Sequence, residues 1–101
     1  MAGATRTTKG MERIRRRVEM HLAAEGEPLF KAIAAQVAER RHALDLSQRE
    51  LADLCGTTQS AIARLERGQR PPRIDTLMRI ASALDCELVV ELRSRTTRGG
   101  R

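Results

Sequence analysis

The stretch SQRELADLCGTTQSAIARLERG, residues 47–68, decides the reading of this chain. Ser47 stands just before an apolar-periodic run, and Glu50 follows three residues later. A serine hydroxyl at that position accepts from the third helical amide while the glutamate reaches back to the serine amide, so the pair predicts a capping box and a helix start. Leu51, Ala52 and Leu54 supply its apolar positions, and Gly56 supplies a residue that tolerates positive φ where the helix must stop. Thr57 or Thr58 caps a second helix, with Ala61, Ile62 and Leu65 apolar and Gly68 as its stop. Small Ala52 lets the two backbones approach, and Ile62 and Leu65 pack the second helix onto the first.

The outward face of the second helix carries different chemistry. Gln59, Ser60, Ala63, Arg64 and Arg67 avoid its buried positions. Glutamine can bond bidentately to adenine and arginine to guanine in the major groove. The free amides and positive dipole end of a helix N-terminus favour a nearby phosphate. Two short helices about a tight turn, with such residues on the second, predict a helix-turn-helix that reads duplex DNA. Between residues 64 and 73, Arg64, Arg67, Arg70 and Arg73 are accompanied by a single acid, Glu66.

Working outward, residues 10–25 read as a helix with Met11, Ile14, Val18 and Leu22 in a narrow apolar stripe, which Gly26 and Pro28 end. Arg13, Arg15, Arg16 and Arg17 surround the stripe, as a solvated face or as a contact for DNA or a protein partner. The next helix runs from Pro28 to about His42, with Leu29, Ile33, Ala34 and Val37 inward. Beyond Pro71 and Pro72, a helix from about residue 74 to 84 turns Leu77, Ile80, Ala81 and Leu84 inward. In residues 86–93, Leu88, Val90 and Leu92 alternate with Glu87, Val89, Glu91 and Arg93, which predicts a strand. A lone strand leaves its backbone groups unpaired, so pairing with the same strand of a second subunit is expected, with Leu88, Val90 and Leu92 facing the helices of both. The organisation expected is a disordered basic N-terminus at 1–9, an N-terminal helix at 10–26, a helix-turn-helix domain at 27–85, a dimerisation strand at 86–93 and a disordered basic tail at 94–101.

With 101 residues the chain fits one small domain, whose core is marginal without a partner. A single aromatic residue, Phe30, among 41% hydrophobic residues suits close-packed helices better than a β-sandwich. The net charge of +6 permits a polyanionic partner. Cys55 and Cys86 lack the spacing of a disulfide scaffold or a zinc site, and His21 and His42 lie in separate helices with no ligand cluster. No Ser-His-Asp set, paired carboxylates or Gly-rich phosphate loop stands out, so no enzyme, metal or cofactor is expected. The absence of a long apolar run and of a signal-peptide core points to the cytoplasm.

The segment SQRELADLCGTTQSAIARLERGQRPPRIDTLMRIASAL resembles the Xre/Cro type of helix-turn-helix shared by lambdoid phage repressors and many bacterial regulators. The likeness spans about residues 29–85 and rests on Ser47-Gln48, Glu50-Leu51-Ala52, Gly56, Ile62 and Leu65-Glu66 before Gly68. It implies a mainly α fold, a lambda-repressor-like bundle of four to five helices, to which the strand at 86–93 adds pairing across a dimer. It also implies base reading by Gln59, Ser60 and Arg64. Backbone or groove contacts are implied for Gln48, Thr57, Thr58, Arg67, Gln69, Arg70 and Arg73, and a structural ion pair for Arg41 and Glu66. Where phage repressors have a fifth helix, CELVVELR stands here, which is similar to the antitoxins of the HigA and HipB types. That second likeness implies an antitoxin that represses its own operon and neutralises a toxin protein by direct binding, and the two-fold axis of the strand-paired dimer predicts a palindromic operator. A stand-alone Xre-type regulator without a toxin is the alternative, and the neighbouring reading frame discriminates the two.

Overall fold

In the computed structural model, residues 8–95 are described; the tail expectations for residues 1–7 and 96–101 lie outside them. Five α-helices follow one another: α1 (Lys9–His21), α2 (Glu27–Ala43), α3 (Gln48–Cys55), α4 (Gln59–Arg67) and α5 (Ile74–Ala83). A π-helical turn, Leu22–Gly26, joins α1 to α2 without a break. The helix end expected at Gly26 and Pro28 is thus a correction. Pro28 has no amide hydrogen, and its ring would collide with the carbonyl of Ala24 in an uninterrupted α-helix. Widening the preceding turn by one residue relieves that conflict while the axis continues. Gly26 is buried there, with Phe30 packed over it.

Starts and stops inside the domain follow local chemistry. The capping box is formed: the Glu50 amide donates to Ser47 Oγ at 3.0 Å, and the Ser47 amide donates to Glu50 Oε1 at 2.8 Å. These bonds hold the Glu50 carboxyl below the usual carboxylate range. Thr58, rather than Thr57, caps α4 through the Ala61 amide at 3.1 Å. Four stops enter the left-handed region, two at Gly56 and Gly68 and two at Asp45 and Asp85. After α2, the Leu46 amide reaches the Arg41 carbonyl and the Asp45 amide that of His42. After α5, the Cys86 and Asp85 amides do the same to Ala81 and Ser82. Both are Schellman closures with aspartate in place of glycine.

The core gathers Val37, Leu51, Ala52, Cys55, Ile62, Ile80 and Leu84, with Leu51, Ile62 and Ile80 the largest fully buried side chains. α3 packs on both α4 and α5, and α2 packs on α4. Arg40 Nε donates to the Leu84 carbonyl at 3.1 Å, tying α2 to the end of α5. Two expected core positions are corrected. Leu29 is 56% exposed and Leu54 61% exposed: Leu29 lines an open groove together with Ile33, Leu77 and Ile80, and Leu54 lines one with Met78 and Ala83. Ile33, Leu46, Leu65 and Ala83 pack against the core from its edge.

Residues 86–93 form no strand among the described residues. The expectation placed the second strand in another subunit, and one chain alone supplies no ladder. The segment returns along α2, with Leu88 half-buried and Val90 and Leu92 exposed. Its far end meets the π turn: Arg95 lies 2.8 Å from His21 Nε2 and 3.7 Å from Glu25.

Gly56 and Gly68 share a φ of +67° but differ in surroundings. A Cβ at Gly56 meets nothing within 4 Å, whereas one at Gly68 would lie 2.9 Å from Lys31 Cα and 3.1 Å from Ala34 Cβ. Gly56→Ala is therefore expected to cost about 1–2 kcal/mol, the left-handed penalty alone. Gly68→Ala adds overpacking against the α2 backbone and should cost about 2–5 kcal/mol. Urea denaturation of the two variants checks the order; equal losses would contradict the close approach of α4 to α2.

Candidate nucleic-acid interface

α4 stands on the body through Ile62, which is completely buried, and through half-buried Leu65. That anchoring turns the helix so that Gln59, Ser60, Arg64 and Arg67 are exposed on one side. Gln69, Arg70 and Arg73, beyond Gly68, are exposed as well, and Thr57 is half-buried in the turn. Among the described residues Arg64, Arg67 and Arg70 form no ion pair, while Arg73 is bound to Asp75 at 3.1 Å. Three uncompensated guanidinium groups thus lie on α4 and the loop that follows it. Among the described residues no cluster of three metal-ligating side chains exists.

Behind that face runs a polar chain linking α2, α3 and α4. Arg41 Nε donates to Glu66 Oε2 at 2.8 Å and Arg41 Nη2 to Glu66 Oε1 at 3.0 Å, a two-pronged ion pair. Both side chains are only 8% exposed. Arg41 Nη1 also donates to the Leu46 carbonyl at 2.7 Å, and Nη2 approaches His42 Nε2 at 3.3 Å. Gln48 Nε2 donates to Glu66 Oε1 at 3.0 Å, and Gln59 Nε2 donates to Gln48 Oε1 at 3.0 Å. The sequence-level expectation gave Gln48 only an outward contact. Its contacts instead make it the link between the buried carboxylate and the first residue of α4; the matching side-chain chemistry of Gln48 and Gln59 was the available signal.

Burial works to raise the Glu66 carboxyl, but hydrogen bonds from Arg41 and Gln48, with the charges of Arg41 and His42, outweigh it and hold the group below the usual carboxylate range. The bond to Glu66 raises Arg41 in turn, against the effect of burial. The pair is therefore charged at neutral pH.

The comparisons with known proteins agree with this geometry. A family model described as Helix-turn-helix matches residues 37–90, which run from within α2 through α5 into the C-terminal segment. The chain belongs to this Xre-type helix-turn-helix family. It is similar to the uncharacterized HTH-type transcriptional regulator y4dL of Sinorhizobium fredii, at 43% identity over 58 residues, 57% of this chain and 30% of that protein. It is also similar to an HTH-type transcriptional regulator of Haemophilus influenzae, at 36% identity over 63 residues, 61% of this chain and 64% of that one. The chain thus spans less than two thirds of the length of both relatives. Among solved structures it resembles the restriction-modification controller protein C.AhdI from Aeromonas hydrophila, with a TM-score of 0.55 and 36% identity over 57% of this chain and 88% of that one. α1 lies before the family match. No helix of the described residues is long and apolar enough to cross a membrane.

Removing one member of the buried pair strands a charge. Glu66→Ala is expected to cost about 3–5 kcal/mol in urea denaturation, with Arg41→Met/Glu66→Leu recovering much of the loss. Because the Glu66 carboxyl is lowered in the folded state, its contribution is complete above the ordinary carboxylate pKa and disappears as pH falls through the lowered one. Wild type should lose this increment on acidification while the double variant shows none of it, a comparison read from denaturation curves at descending pH.

Proposed function

We propose that this chain is a sequence-specific DNA-binding transcriptional repressor that acts as a homodimer on a palindromic operator. The observation that carries the reading is the outer face of α4, where Gln59, Ser60 and Arg64 are exposed on a helix whose opposite side is fixed by Ile62 and the polar chain through Glu66. Gln59, Ser60 and Arg64 read base edges in the major groove. Thr57, Thr58, Arg67, Gln69 and Arg70 hold the flanking backbone, with Gln48 at the start of α3 and Arg73 near the minor groove. No cofactor takes part. The dimer forms through residues 86–93, and its support is the run of exposed Val89, Val90 and Leu92 on a segment with no ladder of its own. A two-fold axis there sets two copies of α4 about 34 Å apart, one turn of duplex.

The reading as an antitoxin adds a toxin protein to this function. It rests on the likeness of the C-terminal segment to antitoxins, and the stand-alone regulator fits the same geometry equally. DNA binding is common to both.

Arg64→Ala should weaken operator binding by about 1–3 kcal/mol and relax selectivity at one base pair. Arg70→Ala should weaken cognate and scrambled duplexes alike and lower the salt slope by about one. Competition binding at several salt concentrations separates the two. An unchanged preference for the operator in Arg64→Ala would end the base-reading assignment.

A further inference from the structure

α1 has no buried residue, and most of its apolar side chains share one face, with Met20 on the opposite one. Met11, Ile14, Val18 and Leu22 recur at spacings of three and four and are 39%, 55%, 51% and 62% exposed. Pro28 and the π turn carry this helix on from α2 rather than folding it back onto the core. A helix polar on one side and apolar on the other calls for a surface to cover it.

The charge pattern along the helix names that surface. Up to residue 17, Lys9, Arg13, Arg15, Arg16 and Arg17 stand against Glu12 alone, while Glu19 and, in the π turn, Glu25 follow, Glu25 lying 3.7 Å from Arg95. We infer that α1 pairs antiparallel with α1 of a second copy of this chain, burying the Met11–Ile14–Val18–Leu22 stripe. Ile14 then lies against Val18 of the second copy, Met11 against its Leu22, and the two-fold axis passes near residue 16. By the 3.6-residue period, Arg15 and Glu19 flank the stripe on the same side, and Arg13 and Arg16 point away into water. Antiparallel pairing brings Arg15 beside Glu19 of the second copy, twice by symmetry, and lays the basic half along the acidic one. Parallel pairing would set like against like along the whole length. At the Leu22 end of the stripe Arg95 is bound to His21 and Glu25, so the Met11 end of the second copy docks beside that cluster.

Two helices of this length bury less than a stable interface of about 1,200–2,000 Å² needs, so the contact adds to another association rather than replacing it. The inference does not depend on the DNA-reading assignment. Its failure shows in assembly, and failure of the DNA reading shows in operator preference.

The test is sedimentation of the full chain across a concentration series, with far-UV circular dichroism as the check on helix content. Ile14→Glu/Val18→Glu, both at exposed positions, should weaken one association step by about a hundredfold. Arg15→Glu and Glu19→Arg should each weaken that step when alone, since each sets like charges across the pair. An equimolar mixture of the two chains should restore it, because both cross-pairs become opposite in sign. A role confined to one chain's own helix would not produce restoration on mixing. An association step unchanged in the Ile14→Glu/Val18→Glu chain, or a mixture that behaves as the average of its components, overturns the proposal.

Discussion

Arg41 is the buried charged residue of the described chain, and each group it binds lies elsewhere along it: Glu66 on α4, the Leu46 carbonyl in the α2–α3 turn and, at 3.3 Å, its neighbour His42. A guanidinium taken out of water requires that its donors be met, and the geometry that meets them is specific. Three placements follow from this. α4 must present Glu66 toward α2, the chain after α2 must curl back so that Leu46 offers its carbonyl, and α3 must start where Gln48 reaches Oε1 of Glu66. The Schellman closure at Asp45 provides that curl. Gln59 then stands at the end of a chain of bonds that begins in the interior. The hydrophobic core beneath is small and without an aromatic ring, so hydrophobic and roughly the right size would be satisfied by several rotations of α4; the polar chain selects one.

The polar chain holds α4 at Gln59 and at Glu66, and Gly68 adds a steric constraint beside Glu66. The backbone of Lys31 and the side chain of Ala34 leave no room for a Cβ there. α4 is thus held by directional bonds from Glu66 and Gln59 and by a steric stop just beyond Arg67. Rigid placement of a helix with uncompensated arginines is what groove reading demands, because a base-edge contact is lost when its side chain shifts by an ångström or so.

Much of this was legible in the sequence because it is local. Ser47 with Glu50, Thr58 before α4 and glycine at residues 56 and 68 each act within one turn, and each takes its expected place, Thr58 resolving the choice left open with Thr57. The Arg41–Glu66 contact spans 25 residues and could be expected only through the family likeness. Asp45 and Asp85 escaped notice because aspartate enters the left-handed region less often than glycine and signals caps and turns of several kinds. Pro28 reads as a stop for α1, since proline removes a donor and crowds a carbonyl; the α-ladder obeys that constraint, and a wider turn satisfies it without ending the helix. Leu29 and Leu54 show the limit of apolar periodicity: it finds the hydrophobic positions of a helix but not how much of that arc a small core can cover.

The strand expected at 86–93 failed for a different physical reason. Alternation of Leu88, Val90 and Leu92 with charged residues describes what a segment could pair with, whereas a ladder exists only between two segments. α1 is the helical counterpart, since its stripe too is exposed among the described residues. Both features lie at or beyond the ends of the family match, and Arg95 brings them together at the π turn. Within α2 to α5 the buried charge, the helix ends and the core side chains find their partners. The parts added at either end carry exposed apolar residues in periodic order. A chain short of core stabilises itself most readily by covering such residues on a neighbour, because burial between subunits follows the same area dependence as burial within one. α2 touches both portions: its N-terminal end continues through the π turn into α1, and its C-terminal end holds Glu66 in place through Arg41.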